Sequence, residues 1–415
     1  MTTPDQSDAT AQNASALGRC VACTSDEFVT KHWARAPLVT RARGDFNDLL
    51  SAAAVDELVS TRGLRTPFAR MAKDGRVLDR SKFTRGGGAG ASINDQVADD
   101  RVLALLDDGA TLVLQALHRT WPPLVAFGSA LSDELGHPVQ INAYITPPQN
   151  QGFAPHYDVH DVFVLQVSGR KHWTIHEQVV ADPLDNQPWE NYRAEVGERA
   201  QRQPLIDTVL EPGDALYLPR GTIHSAQALG ETSIHLTVGI HPITRYHLVR
   251  HLLEAAQHDP ALRTSLPAGV DLSDPTVLAP HLAATIEALQ LRLASSEVEA
   301  AASSLVDTLR RQTRPEPVSP LAQLDTAAAL DHGTALRLRT GMHPQLRHGA
   351  DGITLHLLDR TLSFAADAAD AFKTVFGGDA FTPADLPGLD ADEQLALAQR
   401  LLRAGVVVPV STFLA

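Results

Sequence analysis

Two residues with metal-binding side chains stand close together near the middle of this 415-residue sequence. His156 and Asp158 are separated by one position, and they precede residues 161–167, which alternate and are rich in β-branched and aromatic types. Such a segment predicts a buried strand. If His156 and Asp158 lie in extended chain, their side chains fall on the same face. An imidazole and a carboxylate that converge in this way supply two of the three ligands of a metal site.

His224 is the best candidate for the third ligand. Residues 211–214 form a turn signal, residues 215–218 read as a short strand, and Gly221 makes a tight corner just before the histidine. A turn, a strand and a corner are a common way for a β-barrel to present a ligand at its mouth. Two imidazoles and one carboxylate that leave open positions suit a non-haem Fe(II) oxygenase.

The neighbouring histidines compete less well for this role. His160 stands next to Asp161, and adjacent residues of a strand cannot share a face. We expect His235 and His241 to be core or rim residues, and His172 and His176 to be at most hydrogen-bond donors to the ligands.

The motifs at 156–158 and 219–224 resemble those of the JmjC-type cupins, and specifically the ribosomal-oxygenase subgroup. That subgroup consists of Fe(II)- and 2-oxoglutarate-dependent protein hydroxylases built on a double-stranded β-helix. The similarity extends to three further segments, which are residues 142–148, 169–173 and 235–237. The implied fold class is α+β, with a cupin (jelly-roll) catalytic domain, a helical dimerisation segment and a C-terminal winged-helix domain.

The resemblance also implies roles for residues around the metal. His156, Asp158 and His224 would bind Fe(II), and the open side would take 2-oxoglutarate and O2. Lys171 matches the position of the cation that anchors the far carboxylate of 2-oxoglutarate. In the same way, Thr237 and Tyr144 match positions that hydrogen-bond this carboxylate, and Asn142 is expected near the cosubstrate.

The reaction implied by the resemblance couples decarboxylation of 2-oxoglutarate to hydroxylation of a side chain of a ribosomal protein, either arginine or histidine. Lysine at position 171 is closer to the histidine hydroxylases, but it contacts cosubstrate and therefore does not assign the substrate. Three alternatives stay open: an oxygenase acting on a free amino acid or other small molecule, a non-catalytic metal-binding cupin, and a zinc hydrolase. A hydrolase would leave Lys171 without a role.

Composition places the chain among water-soluble globular proteins, with 44% hydrophobic and 20% charged residues. The formal net charge of -14 disfavours nucleic-acid binding through phosphates and suits a basic partner such as a ribosomal protein, although solubility alone explains it equally well. No signal peptide or membrane-spanning run is evident, so we expect a cytoplasmic protein without membrane contact. Cys20 and Cys23 form an isolated CxxC and are expected to be free thiols.

Composition shifts along the chain and the resemblance together predict four regions. These are a disordered tail at 1–24, the JmjC/cupin catalytic domain at 25–242, a helical segment at 243–320 that makes a homodimer or covers the barrel, and a winged-helix-like domain at 321–415. Within them we expect helices at 46–60, 122–136, 245–258, 280–294, 297–311, 364–376 and 391–404, and an irregular loop at 182–203. The last helix carries acidic residues at its start, which favours a scaffold role over DNA reading.

Overall fold

The computed structural model describes residues 15–410, apart from positions 43, 74, 149, 152, 295–300, 307–314 and 350–351. The chain divides into two compact units, Met1–Pro242 and Ile243–Ala415. Each unit has its own hydrophobic core. The candidate ligands all lie in the first unit.

A nine-stranded antiparallel sheet forms the frame of the first unit. The strands of this unit are β1 Leu38–Thr40, β2 Ala69–Lys73, β3 Arg76–Val77, β4 Thr84–Arg85, β5 Gln96–Val97, β6 Thr111–Leu114, β7 Val139–Thr146, β8 Asp161–His176, β9 Ile206–Leu210, β10 Ala215–Leu218 and β11 Ile223–Ile240. The order of hydrogen-bonded neighbours in the large sheet is β1–β10–β8–β11–β7–β6–β2–β3, and β9 pairs with β8 off this path. β4 and β5 pair with each other in a separate sheet.

The long strands β8 and β11 each serve two parts of this sheet. The first half of β8 pairs with β10 and its second half with β9, while the second half of β11 pairs with β7. The change occurs near Gly169, where the register between β8 and β11 is interrupted. Gly169 has φ +64°, and a Cβ there would lie 2.3 Å from the carbonyl oxygen of Thr232. This large antiparallel sheet with two bent central strands is consistent with the predicted cupin fold.

Alternation along the strands separates the two faces of the sheet. Leu112, Ile145 and Leu236 face the main core of the first unit, whereas Tyr144 and His235 point to the other face and line a pocket. Because side chains of a strand alternate, β6, β7, β8 and β11 each contribute both to the core and to the pocket wall.

Most helices of this unit contribute residues to its main core. The helices are Ala16–Cys20, Ser25–Glu27, a π-helical turn at Phe28–His32, Ala52–Ser60, Asp99–Asp107, Leu117–Thr120, Pro122–Leu135 and Arg193–Arg199. The last of these packs instead in a small separate cluster, through Val196 with Tyr157 and Ile223. Short 3-10 turns lie at Arg80–Lys82 and Trp189–Tyr192.

Three local predictions were wrong in this unit. The disordered tail does not extend to residue 24, because Ser15 caps a helix whose Leu17 and Cys20 are buried in the core. The helix expected from residue 46 begins only at Ala52, where Ser51 caps it. The segment 182–203 is not an irregular loop, since it contains the turn and helix between 189 and 199.

The second unit contains helices at Arg245–Ala256, Pro275–Ala294, 301–306, Pro320–Ala328, Ala369–Phe376 and Ala391–Arg403, with 3-10 turns at Pro260–Arg263, Ala366–Ala368 and Pro383–Asp385. Its strands are β12 Leu336–Leu338, β13 Gln345–Gly349, β14 Gly352–His356, β15 Thr361–Phe364 and β16 Val407–Pro409. β12 pairs with β16, and β13, β14 and β15 form a separate antiparallel sheet. The helix predicted from residue 364 begins only at Ala369, because Phe364 ends β15 and Ala366–Ala368 form a 3-10 turn.

Two predictions about the second unit stay predictions. The helix Ala391–Arg403 followed by β16 has the order expected of a winged helix, but this domain type is not established. Of the helix expected at 297–311, only residues 301–306 are described. Among the described helices, none combines the length and apolar character needed to cross a membrane.

Candidate metal centre

The structure brings His156, Asp158 and His224 together. One ligand atom from each lies within 4.8 Å of the other two, and Nε2 of His224 is 3.7 Å from Oδ2 of Asp158. The expectation that His156 and Asp158 lie in a regular strand was wrong. Instead His156 forms an isolated bridge with His224, in which each backbone N–H donates to the other residue's carbonyl oxygen at 3.2 and 2.8 Å.

Local hydrogen bonds prepare both imidazoles to accept a metal. Nδ1 of His156 lies 2.8 Å from the carbonyl oxygen of Ala154, and Nδ1 of His224 lies 3.0 Å from that of Thr222. A carbonyl oxygen can only accept, so each Nδ1 carries the proton and each Nε2 keeps its lone pair. This arrangement fixes the tautomer and orients the ring as a metal ligand requires.

Two of the three side chains have shifted pKa values that agree with this role. Burial lowers the pKa of His224 to about 4, so the ring is neutral near pH 7. Burial alone raises the pKa of Asp158, but the neighbouring His160, His224, His156 and Arg70 side chains outweigh it and lower the pKa. The site therefore offers two imidazoles and one carboxylate. This donor set fits Fe(II).

A buried carboxylate holds the corner that precedes His224. Oδ1 of Asp161 accepts the backbone N–H of Arg220 at 2.8 Å, and its Oδ2 accepts the hydroxyl of Tyr217 at 3.0 Å. In addition, the N–H of Gly221 donates to the carbonyl oxygen of Asp158 at 2.9 Å. The corner is thus tied to the start of β8, and this fixes the distance between the ligands on its two sides.

A pocket of about 550 Å³, including its open mouth, extends from the three ligands into the sheet. Lys171 lines this pocket and is 3% exposed. Its Nζ donates to Oγ1 of Thr146 at 3.0 Å and lies 3.5 Å from Nδ1 of His235. Burial lowers the pKa of Lys171 to about 7. The pocket therefore holds a cation in the same cavity as the metal ligands.

Of the other three residues predicted at the cosubstrate, two line the pocket and one does not. Tyr144 and Thr237 line the pocket, and the Tyr144 hydroxyl lies 3.5 Å from a guanidinium nitrogen of Arg70. Asn142 is not among the lining residues. Its Oδ1 accepts the backbone N–H of Ala116 at 3.0 Å, which anchors the end of a loop. The cosubstrate roles of all three remain predictions.

Sequence reasoning missed several residues of the pocket. His235 was expected in the core or at the rim, and it is buried, but its ring lines the pocket and stacks on Tyr144 at 5.0 Å. Thr146 and Trp173 also line the pocket, and the Trp173 indole N–H is buried without a hydrogen-bond partner in the described part of the chain. The available signal was the two-residue spacing of these positions from Tyr144 and Lys171, which places them on the same strand face.

His160 is not part of the ligand cluster formed by the described residues. Its ring lies 4.9 Å from that of His241, and its Nδ1 is 3.2 Å from the carbonyl oxygen of Asp161. The expectation that His156 rather than His160 accompanies Asp158 agrees with this placement.

A protein-family comparison addresses what kind of domain carries this centre. The model of the JmjC domain matches residues 127–248, a range that includes His156, Asp158 and His224. The chain contains a JmjC domain. The match covers the sheet from β7 to β11 and so contains the pocket described above.

Relatives of known sequence extend this result. The chain is 34% identical to ribosomal oxygenase 1 of Gallus gallus over 219 residues, which is 51% of this chain and 34% of that protein. It is 28% identical to the bifunctional lysine-specific demethylase and histidyl-hydroxylase NO66 of Culex quinquefasciatus over 256 residues, or 59% of this chain and 37% of that protein. The predicted resemblance to ribosomal oxygenases is confirmed. The chain spans about a third of the length of these relatives.

Solved structures agree on the fold. The Escherichia coli ribosomal oxygenase YcfD in complex with cobalt and succinic acid aligns with a TM-score of 0.54 and 18% identity over 94% of this chain and 99% of that chain. The same protein with cobalt and 2-oxoglutarate aligns with a TM-score of 0.52. At this level of identity the alignment establishes a shared fold across both units.

Proposed function

We propose that this protein is an Fe(II)- and 2-oxoglutarate-dependent dioxygenase. Its substrate in this proposal is a side chain of a ribosomal protein. The observation that carries the proposal is the convergence of two imidazoles and one carboxylate in a pocket that also holds the buried amine of Lys171. A metal-only role leaves that cation unexplained, because burying an amine without a counter-charge is costly.

The protein's own groups have separable tasks in this proposal. His156, Asp158 and His224 hold the metal on one side and leave the pocket side open. Lys171, with Thr146 beside it, binds the far carboxylate of 2-oxoglutarate and so fixes its orientation. When bound, Fe(II) supplies the chemistry that uses O2 to convert 2-oxoglutarate to succinate and CO2 while one oxygen atom enters a C–H bond of the substrate.

A protein substrate is supported by the names of the relatives, which describe ribosomal oxygenases and a histidyl-hydroxylase. The net charge of -14 suits a basic ribosomal protein. Arginine and histidine both remain candidate target residues. A homodimer, a cytoplasmic location and the absence of direct nucleic-acid binding belong to the same proposal.

Succinate release tests the metal and cosubstrate assignment. The wild-type protein with Fe(II) and 2-oxoglutarate should release succinate, and His156→Ala should reduce this to background because one of three ligands is lost. The matched control is His172→Ala, which removes a histidine of β8 that pairs with Asp207 outside the pocket lining. Succinate release that stays at background with Fe(II), and is unaffected by His156→Ala, would favour a non-catalytic cupin.

The substrate class needs a second measurement. The active protein is incubated separately with ribosomal proteins stripped from cells that lack this gene and with free amino acids. Intact mass then shows which of them gains one oxygen atom. Oxygen gain by a ribosomal protein supports the proposal, whereas gain only by a free amino acid assigns a small-molecule oxygenase.

A further inference from the structure

An arginine on β2 faces the same side of the sheet as the pocket. Arg70 pairs with Val113 of β6, Val113 pairs with Tyr144 of β7, and Tyr144 pairs with His235 of β11. Directly paired residues of antiparallel strands project to the same face. Arg70 therefore ends a row of side chains whose inner members, Tyr144 and His235, line the pocket.

The guanidinium is held by neutral groups. Its central carbon lies 5.4 Å from the ring centroid of Phe153, and one terminal nitrogen is 3.5 Å from the Tyr144 hydroxyl. Its Nε is buried and has no hydrogen-bond partner within the described ranges. No carboxylate of the described chain lies within ion-pair distance of Arg70. The side chain is thus a half-buried cation with an unused donor.

The position of Arg70 relates it to the mouth of the pocket. Phe153 and Trp189 both face His156, with ring centroids at 5.9 and 6.2 Å from the imidazole. Both rings therefore lie beside the metal ligand His156. Arg70 stacks on Phe153, so a single aromatic ring separates its guanidinium from that ligand.

Physical chemistry indicates what this donor recognises. A buried donor without an acceptor destabilises the free protein, and an oxygen acceptor that arrives with a ligand removes that cost. The planar guanidinium offers N–H groups in a fixed fork that matches a carbonyl or carboxylate oxygen, and stacking on Phe153 holds the fork in place. The acceptor common to every polypeptide is the main-chain carbonyl.

We propose that Arg70 is a substrate-binding residue that donates hydrogen bonds to a main-chain carbonyl oxygen of the polypeptide carrying the target side chain. This inference rests on the proposed oxygenase function. It assigns Arg70 to the protein substrate, and Lys171 to the cosubstrate.

The test compares wild type with Arg70→Met, Arg70→Lys and the control Arg76→Met. Arg76 is an exposed arginine on the adjacent strand β3, so its replacement makes the same charge change away from the pocket. Ribosomal proteins stripped from cells that lack this gene are titrated as substrate. Oxygen incorporation is followed by intact mass, and succinate release is followed with and without these proteins.

Arg70→Met should raise the KM for the ribosomal protein by about tenfold while kcat changes by less than about threefold. Arg70→Lys should restore part of the loss because it keeps a donor and the charge, and Arg76→Met should match wild type. An unchanged KM in Arg70→Met overturns the inference. An increase in KM that is matched by an equal decrease in kcat, together with a lower Tm, in both Arg70 variants also overturns the inference, since these changes indicate a structural role.

Two further outcomes distinguish failure of the inference about Arg70 from failure of the proposed oxygenase function. Wild-type succinate release that ribosomal proteins do not increase overturns the substrate assignment and the role of Arg70, but leaves the oxygenase chemistry standing. Absence of succinate release by the wild type overturns the oxygenase proposal itself.

Discussion

Lys171 is a cation whose hydrogen-bonding neighbours in the described structure are neutral. Oγ1 of Thr146 accepts a hydrogen bond from its Nζ at 3.0 Å, and Nδ1 of His235 lies 3.5 Å away in a ring whose pKa burial holds well below its usual range. Charge-assisted hydrogen bonds contribute about 1.5–3 kcal/mol each. A dicarboxylate that binds here therefore gains about 1.5–3 kcal/mol from this one side chain.

Replacing Lys171 should weaken cosubstrate binding selectively. We expect Lys171→Met to raise the Kd for 2-oxoglutarate by roughly ten- to a hundredfold, because the carboxylate loses its only ammonium partner in the pocket lining. Calorimetry on metal-loaded protein measures this. Lys73→Met, which removes a lysine paired with Asp108 outside the pocket lining, is the control. Equal Kd values for Lys171→Met and wild type would contradict the assignment.

The depressed pKa of Lys171 gives cosubstrate binding a pH dependence. Its pKa is lowered to about 7 by burial, so the amine is protonated below that pH and neutral above it. The carboxylate binds the protonated form, and above about pH 7 binding requires proton uptake. The Kd for 2-oxoglutarate should thus stay level just below this pH and rise above it, approaching about tenfold per pH unit. In Lys171→Met the rise should vanish. A wild-type Kd for 2-oxoglutarate that falls as the pH increases would contradict this prediction.

At the scale of elements, the bend between the halves of β8 depends on Gly169. Its φ of +64° is unfavourable for other residues, and an added Cβ would overlap the Thr232 carbonyl oxygen at 2.3 Å. Gly230 on β11 has a similar φ of +69°, but its nearest atom is 4.0 Å away, at the end of the Arg170 side chain. Alanine substitutions at the two glycines can therefore be compared to distinguish the cost of a positive φ from the cost of steric overlap.

Gly169→Ala should lower the free energy of unfolding by roughly 2–4 kcal/mol, and Gly230→Ala by about 1 kcal/mol. Tryptophan fluorescence during denaturant unfolding reports this, because Trp33, Trp121, Trp173 and Trp189 all lie in the first unit. Similar losses in the two variants would show that overlap at the bend does not matter.

At the scale of the whole molecule, the helix Pro275–Ala294 leaves apolar side chains uncovered. Leu282, Ile286 and Leu293 are 61%, 47% and 37% exposed, and their spacing places them on one face. We expect a second copy of the chain to cover this face, as the predicted homodimer requires.

Sedimentation analysis tests this expectation. The wild type should sediment as a dimer, and the double substitution Leu282→Glu with Ile286→Glu should give a monomer because it places charges in an apolar interface. Glu287→Gln on the same helix should remain dimeric. A monomeric wild type at high protein concentration would exclude the dimer.

Several features of the centre could be predicted because they depend on residue type and order. His156, Asp158 and His224 are recognisable as ligands from chemistry and spacing, and the alternation after Asp161 predicts β8. The helix Pro122–Leu135 was also predicted, since Pro at its start and Gly136 after its end are strong local signals.

Other features could not be predicted because distant residues decide them. The bridge between His156 and His224, rather than a regular strand, positions the first ligand. The burial of Leu17 and Cys20 overrides a polar composition that favours disorder. Arg70 carries no local signal, since its proximity to Tyr144 comes from the order of β2, β6 and β7.

The sequence by itself determined which side chains can bind a metal, where many of the strands and helices occur, and which family the chain resembles. These depend on local propensity and on residue identity. Only the tertiary structure decided the tautomers of the imidazoles, the burial of Lys171 and the buried Nε donor of Arg70 that has no hydrogen-bond partner in the described residues. Each of those arises from backbone carbonyls, desolvation and strand pairing contributed by residues far apart in the chain.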